Sequence, residues 1–189
     1  MVHSLAHVLA GIAFFITVWW PCPAQSTEST GNRFFVSAHA LGAVGSDMET
    51  MSNSAVGVGW SVRGGLRQDW LGLFAECQRD FWLATDKDVE MTKGVINLGV
   101  GAEIMLFDER LKMSLAMGTS TLLFDAIFDE AGTTGMYVDF QPTVFRWRLT
   151  RRLVFELSPF GATLMIPAVA APMLKRLEYR TTLGLEWQF

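Results

Sequence analysis

Beyond Arg33, apolar side chains recur at every second position rather than every third or fourth, in segments of about ten residues. The clearest segment ends the chain: Leu177, Tyr179, Thr181, Leu183, Leu185, Trp187 and Phe189 share one face. Arg176, Glu178, Arg180, Thr182, Gly184, Glu186 and Gln188 share the other. Period two is the mark of a strand with one face in apolar surroundings, and this one is longer than the roughly five or six residues usual in soluble sheets. The same alternation predicts strands over 33–44, 55–64, 70–80, 94–106, 111–121, 136–149 and 152–164, which with the last segment makes eight. Ile96, Leu98, Val100, Ala102 and Ile104, for example, oppose Asn97, Gly99, Gly101 and Glu103. Ser37 and His39 oppose Val36, Ala38 and Ala40.

The connections alternate in length. Long ones cover 45–54, 83–92, 124–135 and 165–175, and short ones cover 64–69, 107–110 and 149–152. Tight inner turns alternating with long outer loops are expected of a membrane barrel whose termini lie on the inner side. A soluble barrel with an apolar lumen also alternates, so the polar face has to decide. An eight-stranded barrel has room inside only for side chains. Its proposed inner set is Arg63, Glu76, Glu103, Lys112, Arg152, Glu156, Glu178, Arg180 and Glu186, which mixes both signs and can form a paired plug. The fold class expected is therefore all-β: a single up-and-down antiparallel transmembrane β-barrel of about eight strands over 33–189, apolar side out. Trp60, Trp70, Tyr179, Trp187 and Phe189 lie near strand ends, as aromatic girdles do.

Pro142 and Pro159 interrupt two strands. Proline cannot donate to the ladder, so each marks a bulge where inner and outer faces exchange. With a bulge at Pro142, Phe145, Trp147 and Leu149 face out while Arg146 and Arg148 face in. The opposite register would put an arginine among lipid tails, at a cost of about 2–4 kcal/mol near the midplane.

Ahead of the barrel, residues 4–20 form the only long apolar run, and PCPAQSTESTGN follows at once. That order reads as a cleavable signal peptide over 1–24, then a flexible segment over 25–32. The first residues carry His3 and His7 but no Lys or Arg, and a single anchoring helix is the competing reading. Trp20-Pro21 before Cys22 is a poor lipidation site. Cys77 would then be the one cysteine left, which excludes an internal disulfide and a cysteine-based zinc site. The net charge of −4 over 189 residues, with basic residues scattered, excludes the footprint of a nucleic-acid binder.

The closing residues Gly184-Leu185-Glu186-Trp187-Gln188-Phe189 resemble the terminal signal of bacterial outer-membrane proteins, with Phe last and Trp two before it. The whole chain resembles the superfamily of small eight-stranded outer-membrane β-barrels. That resemblance implies outer-membrane localisation, lipid as surroundings, and recognition of Gly184, Trp187 and Phe189 by the barrel-assembly machinery. Leu183 departs from the polar residue usual before the glycine.

Three functions follow as expectations. The first is a structural or interaction barrel with a filled interior, whose outer loops meet a protein or polysaccharide partner. The second is a narrow pore or a route for a small hydrophobic molecule. The third is a lipid-modifying enzyme. Its candidate catalyst is His39, with Ser37 two residues before it and Asp139 or Glu103 as carboxylate, but the Ser-Ala-His order faces inward. No cofactor or metal is expected. The glycines of Val56-Gly57-Val58-Gly59 and 98–102 lack the following helix of a dinucleotide fingerprint. Asp125, Asp129, Glu130, Asp86, Asp88 and Glu90 lack EF-hand spacing. Met48, Met51, Met91, Met165 and Met173 sit in or near the loops and offer adaptable contacts there.

Overall fold

A computed structural model describes residues 32–47, 54–84, 92–124, 133–167 and 176–189. The expected signal peptide, nearly all of the segment 25–32 and the central residues of the four long connections lie outside them, with Met48, Met51, Met91 and Met173 and both acidic loop clusters.

Eight antiparallel strands follow one another: β1 (Arg33–Asp47), β2 (Ser54–Gln68), β3 (Leu71–Ala84), β4 (Thr92–Leu106), β5 (Leu111–Phe124), β6 (Thr133–Arg148), β7 (Leu153–Pro167) and β8 (Arg176–Gln188). Each pairs with the next, and β1 pairs with β8, so the sheet closes and no edge is left. The Phe189 amide donates to the Phe34 carbonyl at 2.9 Å and extends the seam to the last residue.

The strands outrun their sequence-based ends in several places. β2 continues to Gln68, so the connection expected at 64–69 shrinks to Asp69-Trp70, with Asp69 in the left-handed region at φ 50°. β7 continues to Pro167, which removes Met165 from the loops and places it inside the barrel, 1% exposed.

Faces follow the alternation. Val36, Val58, Val62, Leu98, Val100, Leu115, Leu183 and Leu185 lie on the exposed outer surface. Phe34, Trp70, Phe107, Trp147, Trp187 and Phe189 ring the end that carries the tight turns. Inside are charged and polar side chains that are almost wholly buried. The molecule is thus inverted relative to a soluble barrel. Both prolines sit at irregularities: the β6–β7 register shifts between Phe140 and Phe145, and the β7–β8 register between Ser158 and Gly161. Buried positions accordingly change from odd to even numbers along β6 and from even to odd along β7, which brings Arg146 and Glu156 inside and leaves Phe145 and Trp147 on the outer side.

Candidate functional site in the barrel interior

The lumen is filled in layers. Nearest the tight turns, Arg67 of β2 reaches Glu103 of β4 and Glu186 of β8: its Nη1 and Nη2 each donate to Glu186 at 2.9 Å, and its Nε donates to Glu103 at 2.9 Å. Lys112 Nζ donates to both oxygens of Glu156, at 2.7 and 2.6 Å, and lies 3.6 Å from Glu103. Arg146 Nε donates to Glu156 at 2.8 Å, and its Nη2 reaches Glu186. Three cations thus meet three carboxylates, the balance a dry interior demands, because an uncompensated buried charge is costly.

A second network lies farther along. Arg63 donates from Nε to Glu76 at 2.9 Å and lies 3.4 Å from Asp139. Arg180 meets Glu178 at 3.1 Å, Asp139 at 3.3 Å and Asp80 at 3.6 Å, and its Nη1 donates to Gln78 at 2.6 Å. The Tyr137 hydroxyl donates to Glu76 at 2.7 Å, and Thr163 to Asp139. Beyond it, Val95, Leu122, Tyr137 and Met165 pack together with Trp82 against them, an apolar cap toward the long connections. Phe35, Phe74 and Ala116 form another apolar group, and Arg67 and Arg63 lie over the Phe35 and Phe74 rings at 4.5 and 4.8 Å.

Of the nine charged residues expected inside, eight are buried there: Arg63, Glu76, Glu103, Lys112, Glu156, Glu178, Arg180 and Glu186. Arg152 is a correction. It belongs to the exposed turn before β7, because the strand starts one residue later than the alternation implied. Arg148 keeps inward parity but reaches the rim, where it donates to Glu109 at 3.2 Å with 43% of its side chain exposed. Glu109 also binds Arg33 at 3.0 Å. Arg67, Asp80 and Tyr137 join the networks unannounced by the sequence; Arg67 was hidden in a Gly-Gly segment that imitates a turn.

His39 does not meet Ser37, Asp139 or Glu103, the partners the sequence suggests for it. Ser37 Oγ has no hydrogen-bond partner, Glu103 is taken by Arg67, and Asp139 by Arg63, Arg180 and Thr163. Instead His39 Nε2 lies 2.9 Å from Glu156 and Nδ1 lies 3.4 Å from Ser61 Oγ. Serine, imidazole and carboxylate are thus aligned, but exposures of 5%, 7% and 1% for Ser61, His39 and Glu156 keep substrate away. Gly184 is needed beside this group, since a Cβ there would stand 2.2 Å from His39 Cδ2. Trp187 and Phe189 both point outward. Among the described residues, no grouping of His, Cys, Asp and Glu is arranged to hold a metal ion.

An apolar exterior around a paired ionic lumen defines the class as a transmembrane β-barrel of eight strands. Solved structures agree on that fold. The chain is similar to Neisserial surface protein A, at 15% identity and a TM-score of 0.59, covering 84% of this chain and 99% of that one. It is similar as well to Ail, the attachment invasion locus protein of Yersinia pestis, at 8% identity and a TM-score of 0.52, covering 84% and 99%. A second structure of Ail, in complex with the heparin analogue sucrose octasulfate, matches at 10% identity and 0.50, with the same coverage. Neither a protein-family model nor a curated protein matches the chain.

Proposed function

We propose that this chain is a bacterial outer-membrane barrel that acts through its long connections, with the barrel as a rigid, closed support. The carrying observation is the lumen: two ionic networks under an apolar cap fill it with side chains that bind one another. Among the described residues, the one group with a catalytic look, Ser61, His39 and Glu156, is sealed within it. Export through residues 1–24, a flexible segment at 25–32 and delivery by the assembly machinery through Gly184, Trp187 and Phe189 complete the reading.

The four central segments of the long connections, 48–53, 85–91, 125–132 and 168–175, hold seven acidic residues against two lysines. That balance favours a basic protein surface as partner over an anionic polysaccharide. In this respect the chain differs from what the complex of Ail with sucrose octasulfate would suggest, since that heparin analogue is a polyanion.

The test separates the support from the working part. The four segments are replaced by short Gly/Ser links, and the shaved protein is compared with the full chain in vesicles. The shaved barrel should keep its heat-modifiable gel mobility and lose salt-sensitive binding to a basic probe protein, and neither form should pass steady current in a planar bilayer. Steady current through the full chain, or unchanged binding by the shaved one, would sink the reading.

A further inference from the structure

Among the described residues, the outer face of the strands carries one charged side chain, Arg79 of β3; the other outward positions are apolar or hydroxyl-bearing, save Gln68 at the tight-turn end of β2. The Cα partners of Arg79 are Trp60 on β2 and Ile96 on β4, both on the same outer face. The guanidinium lies 4.9 Å from the centroid of the Phe81 ring. Its Nε is shielded and has no hydrogen-bond partner, and no described carboxylate pairs with it. Of the other arginine and lysine side chains described on the strands, Arg63, Arg67, Lys112, Arg146 and Arg180 turn inward to carboxylates, and Arg33 and Arg148 reach Glu109 at the tight-turn rim. A lipid-facing arginine costs about 2–4 kcal/mol at the bilayer midplane and close to zero at the headgroups, so its depth matters.

Arg79 stands nine positions along the chain from the turn residue Trp70. A strand rising about 3.3 Å per residue and tilted by about 40° gains roughly 2.5 Å of height per residue. The α-carbon therefore lies roughly 23 Å from the tight-turn end, at the far margin of an apolar band about 25 Å tall. The same cross-strand row continues from Ile96 to Thr121 and then Thr134, whose hydroxyls are 3.3 Å apart on the outer surface. Thr121 is two strands from Arg79, roughly 10 Å away. That span suits a headgroup offering an anionic oxygen at one end and hydroxyls at the other.

We propose that Arg79, backed by Phe81 and flanked by Trp60, binds the phosphate of an anionic lipid headgroup in the leaflet on the long-connection side, with Thr121 and Thr134 contacting the rest of the headgroup. A guanidinium gives a phosphate two parallel donors, and the aromatic ring behind it orients the fork without competing for those donors. The site needs only the membrane placement of the barrel, and it stands whether or not the long connections bind a partner.

The test uses the full chain in phosphatidylcholine nanodiscs containing a small fraction of phosphatidic acid, with bound lipid counted by native mass spectrometry. Wild type should retain the anionic lipid, Arg79→Gln should retain about tenfold less or lower still, and Arg79→Lys should fall between, since a point charge replaces the fork. Arg152→Gln, in the turn at the opposite end, should behave as wild type. Phosphatidic acid should also raise the urea midpoint of wild type but not of Arg79→Gln, through selective binding to the folded state. Because no described contact holds Arg79 to another polar group, the variant should fold. Equal retention by wild type and Arg79→Gln would overturn the proposal, and so would displacement of the lipid by millimolar inorganic phosphate, which would make the site a reader of free phosphate.

Discussion

Replacing Arg67 by methionine tests the dry lumen most directly. The substitution keeps a long side chain against the Phe35 ring and removes the charge that Glu103 and Glu186 share. Three carboxylates are then left with Lys112 and Arg146. A pair of unit charges about 4 Å apart interacts by about 4 kcal/mol at an effective dielectric of 20, and by about 1 kcal/mol in water. Arg67 makes two such pairs, and the cost of having buried its own charge offsets part of their sum. Breaking one side of a buried ion pair typically costs about 3–5 kcal/mol, which is the loss expected for Arg67→Met. The assay is a urea titration in lipid vesicles, with the folded fraction read from gel mobility without boiling. Adding Glu103→Gln restores charge balance, and the double variant should regain at least about 1 kcal/mol relative to additivity. A loss below about 1 kcal/mol for Arg67→Met would mean that water screens these charges, as at a protein surface, and the filled-lumen reading would fail.

Further expectations follow from the same layout. Gly99→Ala would place a Cβ 2.2 Å from the Tyr137 hydroxyl and 2.4 Å from the Met117 carbonyl, and should cost about 1–3 kcal/mol or block folding, as vesicle refolding yield would show. Gly42→Ala, whose Cβ meets nothing within 4 Å, should stay within about 0.5 kcal/mol of wild type in the same assay. Val100→Arg on the outer face should lower stability by about 2–4 kcal/mol in vesicles, and a neutral result would put that face in water. In a Cys22→Ser background, Cys77 should react with an apolar maleimide but not with a charged one while the barrel is in lipid; equal labelling by both would contradict its lipid-facing position.

Much of this fold is legible in the sequence because the physics that selects it acts on alternate residues. Val56 to Arg63 and Ile96 to Glu103 disclose strand, face and sign of the lumen at once. Pro142 and Pro159 disclose the bulges, since a residue without an amide hydrogen has few places in a closed ladder. The strand ends are less legible. Gly64-Gly65 reads as a turn, yet the ladder runs through it, because Gly65 must be bare: a Cβ there would stand 2.2 Å from the Leu73 carbonyl. That hides Arg67 in an apparent turn, while the alternation of β7, carried one residue before its first, places Arg152 inside when it lies in the exposed turn. Arg79 is hidden differently. An alternating pattern is recognised by its apolar members, so a charged residue standing among them goes unread. Nor does spacing reveal which inner charges meet: Ser61 and Glu156, not Ser37 and Asp139, reach His39.

The partners inside the barrel bear on how it can work. Arg67 ties β2 to β4 and β8, Arg146 ties β6 to β7 and β8, and Lys112 ties β5 to β7. His39 adds β1, and in the second network Arg63 joins β2 to β3 and β6 while Arg180 joins β8 to β3 and β6. Many of these links cross the lumen between strands that are not neighbours in the sheet. Moving one strand outward to open a path would therefore separate charges held from two or three directions, and each separated pair would cost several kcal/mol in a dry interior. The hydrogen-bonded wall and the cross-lumen links both resist the same deformation. A barrel stabilised in this way is poorly suited to gating and well suited to holding its rim still, which is what the role proposed for the long connections requires of it.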